Sequence, residues 1–213
     1  MSQTFELLIA TSNAGKIREL NQMLRGLPIT LRSLSEFPDV TPVAEVGQTY
    51  EENAVLKAMG YSEQTGLYAL ADDSGLEADA LGGIPGVLSA RFGGDNASDS
   101  ARTDKLLAKM SPYQGEERTA RFVCCMAVAG WDLREMSADT KPKVLNVSDG
   151  KCEGTLALEP RGSRGFGYDP IFIPRGYGQT FGELSDEVKG QLSHRSKALS
   201  KVRTFLEQFL KQT

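Results

Sequence analysis

The chain has 213 residues, 40% hydrophobic and 24% charged, the balance of a globular protein with a core of its own rather than a disordered or disulfide-stapled chain. A formal charge of −4 argues against gripping nucleic acid through massed Lys and Arg, and no segment reaches the apolar length that crosses a bilayer. The three cysteines, adjacent Cys124 and Cys125 and solitary Cys152, form no disulfide framework or metal-knuckle spacing; with an opening stretch that lacks a basic-then-apolar leader, they predict a cytoplasmic protein.

FELLIA at 5–10 reads as a short strand. KIRELNQML after it carries Ile17, Leu20, Met23 and Leu24 at helical spacing, so the opening unit is strand, tight loop, helix. Pro38 and Pro42 mark a connection. A second helix follows over TYEENAVLKAMGYSEQ, with Val55, Ala58 and Met59 on one face and Gly66 closing it. LYALA is the next strand, expected to end at the acid pair Asp72 and Asp73.

The glycine-rich stretch LGGIPGVLSARFGGDNAS reads as a loop, and DSARTDKLLAKM returns to helical periodicity through Ala101, Leu106, Leu107 and Met110. TARFVCCMAVAG is the best strand candidate. KVLNVSDGKCEGTLAL reads as a hairpin turning at Asp149-Gly150, which implies a mixed sheet. The last helix is marked by a stripe of Leu199, Val202, Phe205, Leu206 and Phe209. No internal repeat interrupts this α/β or α+β pattern.

Several residue groups carry chemistry. In TSNAGK at 11–16, Ser12 or Asn13 can cap a helix whose free N–H groups and dipole attract an anion, and Lys16 adds a full charge. The glycine and Ser/Thr of a Walker A loop are missing, and a plain capped helix with a solvated lysine is the competing reading. Thr49 and Glu52 have capping-box spacing, which competes with a metal-ligand role for Glu52. Lys57, about 140° around the helix from Glu52, cannot pair with it directly. Asp72 and Asp73 leave an extended backbone on opposite sides, so one faces a cleft as a Mg²⁺-compatible oxygen donor, unless both are solvated turn acids.

His194, Arg195 and Lys197 crowd the first turn of the last helix, where the dipole disfavours cations; an anionic ligand or acidic partner would resolve that conflict. RGSRGFGYDPIFIP at 161–174 combines close backbone approach with aromatic faces. That suits a flat heterocycle, or else a turn whose aromatics fill the core.

Five pieces in register, ATSNAGKIREL, TYEENAVLKA, ADDSGLEADALGGIPGVLSARF, GFGYDPIF with QTFGEL, and SHRSKAL, resemble the inosine triphosphate pyrophosphatase family over nearly the whole chain. WDLREMSADTKPKV is longer than that family's usual connection. The resemblance implies one domain over 1–213, an elongated two-lobed α/β fold around a long mixed β-sheet, with the nucleotide in the cleft between the lobes. It also implies a homodimer that hydrolyses ITP, dITP and XTP to the monophosphate and pyrophosphate with Mg²⁺, clearing them from the nucleotide pool.

Carried over by position, the resemblance assigns Thr11, Ser12, Asn13, Ala14, Gly15 and Lys16 to the triphosphate loop and Lys57 to a further phosphate contact. It assigns Asp73, Glu52 and Asp72 to the metal side, with Asp73 as general base. Ser74, Phe166, Gly167, Tyr168, Asp169, Lys189, His194 and Arg195 fall to the nucleotide itself, Phe166 stacking on the purine. Rival expectations are a septum-inhibitor type of nucleotide pyrophosphatase and a regulator that binds a triphosphate without cutting it.

Overall fold

The structure is a computed structural model in which residues 5–94, 96–131 and 141–212 are described. Among the described residues six strands form one sheet in the order β2-β1-β3-β4-β5-β6. β1 (Phe5–Ile9) leads through α1 (Ala14–Met23) to β2 (Ile29–Ser33), and β1 pairs in parallel with both β2 and β3 (Tyr68–Ala78). α2 (Tyr50–Thr65) precedes β3, and α3 (Asp99–Met110) precedes β4 (Thr119–Gly130). β5 (Lys143–Leu156) pairs antiparallel with β6 (Phe172–Pro174), so the sheet is mixed; α4 (Asp186–Leu192) and α5 (His194–Phe209) complete the chain.

The chain divides into two compact units: Met1–Asp73, Cys125–Asp149 and Ala198–Thr213 in the first, Ser74–Cys124 and Gly150–Lys197 in the second. In the first unit Leu7, Leu8, Leu20, Leu70, Leu199, Val202 and Leu206 are almost fully buried. Such burial stabilises by about 1.5–3 kcal/mol per large apolar side chain. Arg203 of α5 donates to the carbonyls of Met23, the last residue of α1, and Arg25 just past it, where the helix leaves acceptors unsatisfied. The second unit is built around Leu76, Leu106, Met110, Phe122, Ile171, Phe172 and Phe181, with Phe122 tilted against Phe172 at 4.7 Å between ring centroids.

Several expectations are corrected. β3 does not end at the acid pair but runs through Asp72, Asp73, Ser74 and Gly75 to Ala78, because partners within the fold override the turn preference of these residues. No hairpin forms at Asp149-Gly150. β5 passes straight through it, Gly150 does not enter the positive-φ region that such a turn demands, and Ser148, Gly150 and Cys152 alternate as small buried residues. The buried face of α2 is Tyr50, Asn53, Ala54, Lys57, Ala58, Tyr61 and Ser62 rather than Val55 and Met59, since the polar side chains of Asn53, Lys57 and Ser62 find partners. β2 and α4 lacked a clear signal: β2 offers only two large apolar residues, and α4 is seven residues long. Within the long connection, residues 132–140 lie outside the described residues.

Candidate active site

Consider first the unit that contains α1. Asn13 caps this helix, its side-chain oxygen accepting from the Lys16 backbone N–H at 3.1 Å, while its own N–H donates to Thr11 Oγ1 at 3.2 Å. Ser12, Asn13 and Ala14 are exposed and Gly15 is buried, so the first turn of α1 presents main chain rather than bulk. Lys16 reaches Asp72 Oδ2 at 2.9 Å, and this carboxylate is fully buried.

Asp73, the next residue, meets α2 instead. Its Oδ2 accepts from Asn53 Nδ2 at 3.0 Å, and its Oδ1 lies 3.9 Å from Lys57 Nζ. Alternation along the extended strand thus sends one acid to α1 and the other to α2. Burial pushes the Asp73 carboxyl above its ordinary range; Lys57, the Asn53 hydrogen bond and Lys16 pull it back, and Glu45 adds to the rise. Lys57 also donates to the Asp72 carbonyl at 2.7 Å and pairs with Glu45 at 3.3 Å.

Glu52 forms the expected capping box, its Oε2 accepting from Gln48 N at 2.6 Å and Thr49 N at 3.3 Å. Both bonds use one oxygen. Among the described residues no three His, Cys, Asp or Glu side chains come together as a metal cluster.

In the second unit, Arg195 is buried and donates to Ser74 Oγ at 2.9 Å. Its guanidinium lies 5.5 Å from the centre of the Phe166 ring, and Lys189 Nζ lies 4.9 Å from the same ring. Asp169 Oδ2 accepts from both the Phe166 N–H, at 2.7 Å, and Lys189 Nζ, at 2.6 Å, so one buried oxygen fixes the loop and the cation together. Gly165, at φ +75°, allows this approach, because a Cβ there would fall 2.0 Å from Asp169 Oδ2.

Tyr168 is buried, donates to the Ser89 carbonyl at 2.9 Å, and has its phenol pushed upward by desolvation. His194 stacks on Phe122 at 4.6 Å and 10°. Gly167 stands in the loop with its N–H donating to Asp99 Oδ2 at 2.6 Å. Lys197, third of the crowded cations, is exposed and donates to the Lys151 carbonyl.

The sequence reading missed Asn53 and Glu45. Asn53 stands four residues before Lys57, on the same helical face, which was the one available signal.

A model described as the Ham1 family matches residues 7–205. The chain belongs to the Ham1 family. Among its relatives is a protein named dITP/XTP pyrophosphatase from Desulforamulus reducens, 44% identical over 201 residues that cover 94% of this chain and 95% of that one. Another of the same name, from Geobacter sulfurreducens, is 46% identical over 200 residues, covering 94% and 96%. A solved HAM1 protein from Coxiella burnetii superposes with a TM-score of 0.82 at 40% identity, covering 96% of this Ham1-family chain and 99% of its own. The resemblance read from the five motifs therefore holds along the whole fold.

Proposed function

We propose that this chain hydrolyses the deaminated purine nucleoside triphosphates ITP, dITP and XTP to the monophosphate and pyrophosphate, removing them from the nucleotide pool. The observation that carries the reading is that relatives named dITP/XTP pyrophosphatase match 94% of the chain at 44–46% identity. The same proposal assigns the roles of the site residues.

The triphosphate is assigned to the first unit's groups. The opening turn of α1 offers backbone N–H groups and the positive end of the helix dipole, and Lys16 and Lys57 bring full charges. Water attacks the α-phosphorus; a new P–O bond forms, the bridge to the β-phosphorus breaks, and pyrophosphate leaves. Asp73 orients that water and takes its proton at a carboxylate oxygen, and the burial that raises its pKa strengthens it as a base.

The donor chemistry fits Mg²⁺, which binds hard oxygens and takes few protein ligands when substrate phosphates supply others. Asp73 and the second oxygen of Glu52 would hold it, with Asp72 adjacent and committed through Oδ2 to Lys16. When bound, the ion supplies positive charge against the phosphate oxygens.

The base is assigned to the second unit. Phe166 offers a half-buried ring for stacking, and Arg195, held on Ser74, offers N–H donors. A 6-oxo purine presents an acceptor where adenine presents a donor, so a donor-lined site leaves adenine groups unpaired. A homodimer and a cytoplasmic setting belong to the same proposal.

Pyrophosphate release from ITP, dITP, XTP, ATP, dTTP and dUTP, with and without Mg²⁺, tests the reading. Fast release from the first three only, and only with Mg²⁺, is expected. Preference for the pyrimidine nucleotides, or binding of ITP without release, would replace it.

A further inference from the structure

Residues 41–47 run along α2 in the opposite direction, held at four places by every second residue. Thr41 N and Oγ1 bond to Gln64 Oε1, and the Val43 N–H donates to Tyr61 Oη at 3.3 Å. Glu45 pairs with Lys57 at 3.3 Å, and the Gly47 N–H donates to Asn53 Oδ1 at 2.8 Å. The strap alternates as an extended chain, while its partners recede along α2 by roughly one helical turn each time. Its last two contacts fall on the two α2 side chains that meet Asp73.

Asn53 is 1% exposed and all its polar contacts are internal. A backbone N–H can only donate, so Gly47 fixes which end of the amide is oxygen. Nδ2 is then obliged to face the other way, where it meets Asp73 Oδ2 at 3.0 Å and the Gly47 carbonyl at a longer 3.4 Å. Gly47 has no room to become anything larger: a Cβ there would lie 2.8 Å from Asn53 Oδ1 and 2.6 Å from Glu52 Cβ. The strap therefore orients the amide, and the amide N–H holds one oxygen of the carboxylate.

We infer that Asn53, oriented by the Gly47 main chain, is a positioning residue that aims the Asp73 carboxylate for the hydrolytic step, acting through Asp73 rather than on the nucleotide. This rests on the reading of Asp73 as the base. Because the contact is made to one carboxylate oxygen and to no substrate atom, its loss falls on kcat and leaves KM in place.

The test uses pyrophosphate release from ITP with Asn53→Asp, Asp73→Asn and the double variant. Asn53→Asp keeps the shape and the acceptor for Gly47 but has no N–H for Asp73, so it separates holding the strap from aiming the acid. The expected result is a kcat lower by roughly 10–100-fold, the scale of a misplaced catalytic group, with KM unchanged. In the Asp73→Asn background the same change should cost nothing further. Asn53→Leu, of similar size and uncharged, asks the same question if the second carboxylate prevents folding. Parent kcat in both Asn53 variants, a loss carried by KM, or an equal fold-loss in the Asp73→Asn background would overturn the inference alone. Parent turnover in Asp73→Asn would bring down the base assignment beneath it.

Discussion

Lys57 is tied to Asp72 through main chain, not through charge: its Nζ donates to the Asp72 carbonyl at 2.7 Å, and from that anchor it stands 3.9 Å from Asp73 Oδ1. A helix side chain is thus fixed to the strand that carries both acids. Lys57→Met, nearly isosteric, should lower stability by about 1–3 kcal/mol, because it takes the lysine's hydrogen bond away from a buried carbonyl. It should also weaken ITP turnover. Urea unfolding and pyrophosphate release check the two effects, and Lys57→Arg should rescue neither fully, since a planar fork cannot reproduce a point donor at this depth.

Asp73 carries a stability cost that depends on pH. Desolvation raises its folded pKa above the ordinary 3.8, so the folded chain binds the proton more tightly than the unfolded chain does. Stability therefore falls as pH rises from the unfolded value through the folded one, and the cost is fully present above that window. Asp73→Asn keeps an acceptor for Asn53 and removes the charge, so in EDTA its Tm should exceed the parent's at pH 7 and converge on it at low pH. Turnover should fall to a small residual rate with ITP binding retained. A lower Tm at pH 7 would contradict the cost.

One oxygen of Asp169 holds both the Phe166 N–H and Lys189 Nζ, and so latches the aromatic loop to its cation. Breaking such a buried pair costs roughly 3–5 kcal/mol. Asp169→Asn should lose stability on that scale and raise KM for ITP more than it lowers kcat, because the aromatic loop and its cation drift together. Steady-state kinetics beside a denaturant titration would show it.

The cysteines should be inert. All three are buried and outside any disulfide, and burial pushes the Cys125 and Cys152 thiols up to about 11. Thiolate is the reactive form, so iodoacetamide at pH 8 should label the native chain slowly and the urea-unfolded chain fully.

What could be read from sequence follows from how local each signal is. β4 coincides with TARFVCCMAVAG because a continuous apolar run has no rival interpretation. β5 was misread because Asp-Gly is a strong turn signal, whereas the strand is decided by inward packing of small residues around it. Lys16, Asp72, Asp73 and Lys57 stood out as charges beside apolar segments, and the structure brings them together within one unit. Asn53 did not: an uncharged amide inside a helix has no visible purpose until its partners are known. His194 drew notice as the sole histidine, yet its ring is stacked on Phe122, a contact 72 positions away in the chain that no local pattern encodes.

Hydrolysis of ITP in ¹⁸O-labelled water tests the proposed chemistry most directly, because the label records which phosphorus was attacked. Attack at the α-phosphorus predicts one ¹⁸O in IMP and none in the pyrophosphate released. Label in pyrophosphate, or release of orthophosphate in its place, would contradict the account.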